Sequence, residues 1–346
     1  MNRIHYLQNL LPGKLAKGLE IAPAHNPVCP KRDGWNVKTV DCVSTEELIA
    51  YMSNNPGNDL SKIEPVDIVW DRGLLHEAID PLLHGKFDYI VASHVFEHVP
   101  DLIGTLNSCE RLLKPDGVLL LALPDRRYTF DFVRPFTTPA DVIEAFEEKR
   151  ERHSLRNAYL LYFYSVLANQ EAVWERSILP TKFQLNFLQA AAEFALYPDR
   201  AANKYVDMHA WVWTAASFKL TMLELLLLDY TAFEVSRFAQ PLNSEFYAVL
   251  RRTHLSDAKR SMLESQRFDL ASRAILEYSN GAGMPQHLSV SAVNSPNFSD
   301  MQELHVAQPA EIMRSGSAAH LHGIRVHAQK TLEHLWDALN VALGLK

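Results

Sequence analysis

The sequence predicts an α/β protein in which five parallel strands are closed by an antiparallel pair, with a helical insertion and a helical C-terminal extension. Three observations carry this expectation. Residues 86–124 read as strand, polar turn, helix, turn and strand; apolar runs alternate with helical stretches from residue 18 onward; and two strand patterns joined by a short turn return near residues 231–251. A strand–helix–strand unit is right-handed and lies in a parallel sheet. Its polar residues gather where the strands' carboxyl ends open, the side on which open α/β sheets bind ligands.

The first strand is read at residues 18–22, followed by the turn Pro23-Ala24-His25-Asn26-Pro27. Residues 36–41 form a second strand ending on Asp41, and Ser44 has the position and chemistry of an N-cap for the next helix. Residues 66–70 supply a third strand and residues 86–92 a fourth. An amphipathic helix runs to Leu113, Lys114-Pro115-Asp116-Gly117 stops it, and residues 118–123 make a fifth strand. Residues 126–205 change character: long helical stretches carry Tyr159, Tyr162, Phe163, Tyr164, Trp174, Phe183, Phe187, Phe194 and Tyr205. The closing pair follows at residues 231–238 and 245–251, with Pro241-Leu242-Asn243-Ser244 as its turn. Beyond it come a charged helix to about residue 278, a polar stretch to about 300 and a final helix near 324–343 that packs on the domain or on a second subunit, a homodimer. The expected division is a core of 1–125 and 206–254, a cap over the cleft at 126–205 and an extension at 255–346.

With 346 residues, 47% hydrophobic and 22% charged, the chain can bury a sizeable core. A net charge of −7 gives no general attraction to nucleic acid or anionic lipid. Three cysteines fit neither a disulfide framework nor a C-x-x-C metal pair, which favours a reducing, cytoplasmic setting. The start lacks the apolar core of a signal peptide, and the longest apolar stretch, residues 220–228, is too short to cross a bilayer.

Candidate site residues cluster at the strand ends. Asp41 follows Glu20 by about twenty residues, the interval at which dinucleotide-type folds place the acid that binds ribose hydroxyls; the alternative is that it caps the next helix. Trp70 and Asp71, in a turn after the third strand, are placed to meet a base by stacking and by accepting from its amine. His94-Val95-Phe96-Glu97-His98 matches the H-x-x-E-H helix motif of zinc proteases. Metal binding there needs both histidines on one face of an established helix, whereas His94 directly follows a strand and Pro100 closes the stretch, so no metal is assigned. His320, His322 and His327 are likewise not read as a metal site.

The ordered motifs Leu19 to Pro27 (L-E-I-A-P-A-H-N-P), Pro30 to Trp35 (P-K-R-D-G-W), Ser93 to Asp101 (S-H-V-F-E-H-V-P-D) and Asp207-Met208-His209-Ala210-Trp211 resemble the class I S-adenosylmethionine-dependent methyltransferases. The likeness is greatest to the type 11-like bacterial branch associated with glycan and natural-product pathways. It covers roughly residues 16–125 and 205–253 and implies a Rossmann-like seven-stranded sheet. By this resemblance Glu20, Ala22, Pro23, Ala24, Asp41, Cys42, Trp70, Asp71, Ala92, Ser93 and His94 would face S-adenosyl-L-methionine. The acceptor would be a small molecule or glycan-like, methylated at oxygen or nitrogen.

The family usually places glycines after the first strand acid, where this sequence has Ala22, Ala24 and Asn26. That departure leaves a catalytically silent ligand-binding or scaffold protein as the alternative. A nicotinamide-dependent oxidoreductase shares the ribose acid but lacks the glycine fingerprint. For methyl transfer to a hydroxyl, a proton must be removed, and histidine suits the task. His209 is the first candidate base, with His98, His94 and Asp125 as the others. Arg126, Arg127 and Arg134 offer a phosphate- or carboxylate-binding option on the acceptor.

Overall fold

The computed structural model describes residues 2–54, 57–175, 178–239 and 244–279. The polar stretch, the final helix and the tail histidines lie outside the described residues, as does most of the turn expected at 241–244.

Helix α1 (Arg3–Gln8) precedes the parallel strands β1 (Gly18–Ile21), β2 (Val37–Asp41), β3 (Ile68–Val69), β4 (Phe87–Ser93) and β5 (Leu113–Pro124). Later strands β8 (Phe233–Ala239) and β9 (Glu245–Arg252) complete a seven-stranded sheet of order β3-β2-β1-β4-β5-β9-β8. The five early strands pair in parallel, and β9 runs antiparallel to both β5 and β8. The expected architecture is thus present.

Both faces of the sheet are covered, which explains the unbroken apolar runs of its central strands. Along β5, Leu119, Leu121 and Leu123 join one core with α3 (Leu102–Leu112), α4 (Pro139–Glu147) and α7 (Ala215–Leu227). Val118, Leu120 and Ala122 join the other, with Leu7 of α1 and the 28–37 segment.

Local rules set the ends of these elements. Helix α2 (Thr45–Met52) starts on a reciprocal capping box between Ser44 and Glu47. Helix α3 starts where the Asp101 side chain accepts from Gly104 N–H, 2.8 Å. Lys114 precedes proline and is biased out of the α region, so the chain goes straight into β5. Leu113 pairs with Phe87 and Val118 with Tyr89, which leaves residues 114–117 as a bulge within the strand, where a stop between elements was expected. The third strand is shorter than expected. Val66 N–H is spent on Thr45 Oγ1, and only Ile68 and Val69 register with β2, with Asp67 N–H and Trp70 N–H bonded to the Thr39 and Asp41 carbonyls at the two ends of the pairing.

Residues between β5 and α7 hold α4, α5 (Leu155–Tyr164), a small hairpin β6 (Val166–Leu167) and β7 (Lys182–Phe183), and α6 (Phe187–Asn203). Val142 and Ala145 of α4 pack into the sheet's main core. Tyr159, Phe163, Phe187 and Phe194 form a chain of ring contacts, from 4.5 Å between Tyr159 and Phe163 to 6.1 Å between Phe163 and Phe194. Trp174 is buried against Tyr128 and Val166 in a separate small core. Helix α8 (Asp257–Ser279) lies on α7.

Gly18 opens β1 against Tyr89, whose fully buried ring meets Trp35 edge-on at 6.1 Å. A Cβ at residue 18 would fall on that ring. Gly18→Ala is expected to lower stability by about 2 kcal/mol through overpacking, read as a lower urea midpoint at unchanged m; an unchanged midpoint would mean the ring moves aside freely.

Candidate active site

The candidate residues of the first turn and of β2 and β4 collect at the carboxyl ends of β1, β2 and β4. Glu20, one residue before the end of β1, is buried, and its Oε1 and Oε2 accept from Val28 N–H at 2.6 Å and Cys29 N–H at 3.0 Å. Burial pushes its pKa up to about 7 despite those two amides. Its carboxylate therefore shapes the first turn and has both oxygens engaged there.

Within that turn Ala22 has φ 48° and Ala24 has φ 44°. Both occupy the left-handed region that glycine enters freely and alanine enters at a cost of roughly 1–2 kcal/mol per residue. The backbone path expected of glycines is thus kept by alanines, the smallest residues that carry a Cβ. Pro23 lies between them, its carbonyl accepting from the exposed Asn26, 3.0 Å.

Asp41 ends β2 almost fully buried, with Oδ1 accepting from Cys42 N–H at 2.8 Å. Helix α2 is capped by Ser44, which removes the capping alternative for Asp41. Burial raises the Asp41 pKa, and burial with the Asp41 charge pushes the exposed Cys42 thiol up to about 11. Trp70 follows β3, its backbone N–H bonded to the Asp41 carbonyl at 2.8 Å and its indole Nε1 to the Gly73 carbonyl at 3.0 Å. The exposed Asp71 pairs with Arg72 at 3.1 Å.

Ala92 is buried at the end of β4, between Ile21 and Leu121. Ser93 Oγ accepts from Arg3 Nη2, 2.7 Å, and Arg3 also pairs with Glu245. His94, at φ 55°, reaches Glu245 through Nε2 at 3.0 Å and lies 3.3 Å from Glu97 Oε1. Burial works against its charge, but Glu245 and Glu97 together raise its pKa to about 9.

On the other wall His98 and His209 meet edge to face, ring centroids 4.7 Å apart at 90°. Each is oriented by a carboxylate on Nδ1: Asp207 at 2.8 Å for His98 and Asp131 at 2.5 Å for His209. Burial alone would lower the His98 pKa; the Asp207 hydrogen bond and the Glu97 charge raise it. Asp131 is buried, and although burial opposes ionisation, Arg134 and His209 hold its pKa at about 2. Phe130 packs on His209 at 4.7 Å.

Two distant stretches of chain are clasped here. The Glu97 carbonyl accepts from Ala210 N–H at 2.6 Å and Trp211 N–H at 3.2 Å, and Trp211 Nε1 donates to the Val99 carbonyl at 2.7 Å. Asn157 of α5 donates to the Ala210 carbonyl at 2.8 Å, and Tyr205 to the His98 carbonyl at 2.9 Å.

Several sequence expectations meet a different environment. Asp125 is fully buried with Arg127 on both carboxylate oxygens, at 2.9 and 2.6 Å. The three arginines offered for an anionic acceptor have internal partners. Arg127 holds Asp125, Arg134 holds Asp131 at 2.6 Å and the His209 carbonyl at 2.9 Å, and Arg126 lies 4.4 Å over the Tyr278 ring. Asp131, Asp207 and Arg134 as orienting groups escaped sequence reading, since no spacing pattern marks a pair closed only by tertiary contact.

A seven-stranded sheet with this strand order, an acid at the tip of β2 and an open first turn define a Rossmann-like methyltransferase fold. A family model described as a methyltransferase domain matches residues 4–175. The chain belongs to the class I S-adenosylmethionine-dependent methyltransferases. Among curated proteins it is similar to the ubiquinone biosynthesis O-methyltransferases of Haemophilus ducreyi, 49% identical over 41 residues (12% of this chain, 17% of that protein), and of Rhodopseudomonas palustris strain TIE-1, 37% over 57 residues (16% and 22%). The chain thus spans about a fifth of the length of these relatives. Among solved structures, an S-adenosylmethionine-dependent methyltransferase from Mesorhizobium loti covers 72% of this chain and 96% of its own at 12% identity and a TM-score of 0.36. One from Aquifex aeolicus covers 71% and 87% at 13% identity and a TM-score of 0.34. At that level of likeness the weight rests on the domain match.

Two predictions follow from the first turn. Ala22→Gly and Ala24→Gly each relieve left-handed strain, offset in part by glycine's larger unfolded-state entropy, so each is expected to raise stability by about 0.5 kcal/mol; a fall in the urea midpoint would refute this. Between pH 4.5 and about 7 the folded state keeps a proton on Glu20 that the unfolded state has released. Rising pH across that window therefore costs up to about 3 kcal/mol of stability. Comparison of urea midpoints for wild type and Glu20→Gln across this range checks it, the variant lacking that contribution.

Proposed function

We propose that this protein transfers the methyl group of S-adenosyl-L-methionine to an oxygen of a small-molecule acceptor held between His98 and His209. The observation that carries the acceptor's place is the pairing of both imidazoles with carboxylates through Nδ1, which leaves both Nε2 atoms for a ligand. The O-methyltransferase name of the curated relatives supports oxygen as the acceptor atom. Nitrogen and a glycan-like acceptor are compatible with the same groups.

The residues fit the cosubstrate. The left-handed Ala22 and Ala24 let the backbone turn back beside the β1–β2 crevice, Asp41 offers a carboxylate to a ribose diol, and Trp70 an apolar face to a base. Ala92 and Ser93 keep the end of β4 small. Bound there, S-adenosylmethionine supplies a methyl group on a positively charged sulfur. An acceptor lone pair forms the new C–O bond, the C–S electron pair stays on sulfur as a thioether, and the hydroxyl proton leaves. The protein's share is to align the acceptor opposite the sulfur, exclude water and assist that proton loss. His98 and His209 are the groups placed for both tasks on the acceptor side.

Calorimetry with S-adenosylmethionine, S-adenosylhomocysteine and NAD tests the reading. The first two are expected to bind and NAD not; binding of NAD alone would favour an oxidoreductase, and no binding a silent ligand-binding or scaffold protein. Asp41→Ala is expected to weaken cosubstrate binding at least about tenfold, near 1.4 kcal/mol; an unchanged constant would remove Asp41 from the site.

A further inference from the structure

Glu97 is completely buried; His94 Nδ1 lies 3.3 Å from its Oε1, but neither carboxylate oxygen completes a hydrogen bond. Burying a carboxylate is costly; His94 offsets part of that cost here, and a bound metal is the other ordinary way to offset it. Histidines are the groups nearest it. His98 Nε2 lies 3.8 Å from Glu97 Oε1, and one ligand atom each from Glu97, His98 and His209 lie within 4.8 Å of one another. In both histidines the far nitrogen is hydrogen-bonded to a carboxylate, Asp207 or Asp131. That arrangement fixes the ring and directs Nε2, and it is the usual outer support of a metal-bound histidine.

We propose that Glu97, His98 and His209 bind a divalent cation through one carboxylate and two imidazole nitrogens, with open positions for the acceptor's hydroxyl oxygen. The donor set is borderline in softness and suits Zn²⁺, Co²⁺, Mn²⁺ or Fe²⁺ rather than Mg²⁺ or Ca²⁺. His94 and His98, the two histidines of the H-x-x-E-H motif, do not form the histidine pair. His94 sits at φ 55° in a turn and is bonded to Glu245. The second imidazole comes instead from His209, which the clasp between residues 97–99 and 210–211 brings alongside. The inference deepens the methyl-transfer reading and rests on it for the acceptor: the imidazoles serve as ligands, and the cation holds and acidifies the hydroxyl that will receive the methyl group.

The test is equilibrium dialysis of the full chain, stripped by a chelator, against Co²⁺ alone, with visible spectra recorded. One Co²⁺ per chain is expected, with bands characteristic of nitrogen and oxygen ligation. Glu97→Gln and His209→Gln should each weaken binding about 100-fold or more and abolish those bands, while thermal melts and the wild-type far-ultraviolet spectrum report that the variants fold. If either variant unfolds, His98→Gln takes its place. Co²⁺ bound with equal affinity and spectrum by wild type and the variants, or not bound above background, overturns the cation site. S-adenosylhomocysteine calorimetry on the same stripped protein keeps the two readings apart. Its binding sustains the methyltransferase reading whatever Co²⁺ does, and its failure beside tight, variant-sensitive Co²⁺ binding would sink that reading alone.

Discussion

The clasp between the turn after β4 and the strand-like segment entering α7 determines what the cleft can do. One carbonyl, that of Glu97, receives two backbone N–H groups from residues more than a hundred positions later, and Trp211 adds an indole bond to Val99. Trp211 is almost wholly buried, so breaking the clasp would expose a large aromatic surface as well as three donors. His98 and His209 flank these bonds in sequence. Their mutual geometry follows from backbone pairing, and side-chain partners then set the ring rotation.

The same logic of support from behind holds on the cosubstrate side. Glu20 draws the chain inward at Val28 and Cys29, and the intervening residues cross the left-handed region twice within three positions. Strain of this kind persists where surrounding structure over-determines it. Here the anchors are β1 on one side and a buried carboxylate on the other, so the path of the turn is fixed by the chain itself. Residues 126–205 contribute to the clasp as well, because Asn157 and Tyr205 bond to the two clasped segments.

Much of this was legible in the residues, and the reasons differ from place to place. Continuous apolar runs marked the central strands because both faces of the sheet are covered. The strand-end position of Asp41 was legible from its interval after Glu20, and Ser44 from its capping chemistry. The first turn was half legible: alanines hide the left-handed geometry that glycines would have advertised. Lys114-Pro115-Asp116-Gly117 does stop the helix, which ends at Leu112, but a helix stop and a strand bulge use the same residues, and only the register against Phe87 and Tyr89 shows the second role. Arg127 and Arg134 looked like anion binders because sequence shows charge without showing the acid that neutralises it. Asp131 carried no local signal at all, since its partner His209 is distant in sequence and adjacent only in the folded chain.

Cys42 stands immediately after the acid at the tip of β2, exposed while Cys29 and Cys109 are buried. Exposure ordinarily makes a thiol the first casualty of peroxide or alkylating reagents, but the reactive species is the thiolate. Asp41 and partial burial suppress it, with the thiol pKa near 11. The carboxylate proposed to grip a sugar thus also disfavours the reactive thiolate of its neighbour.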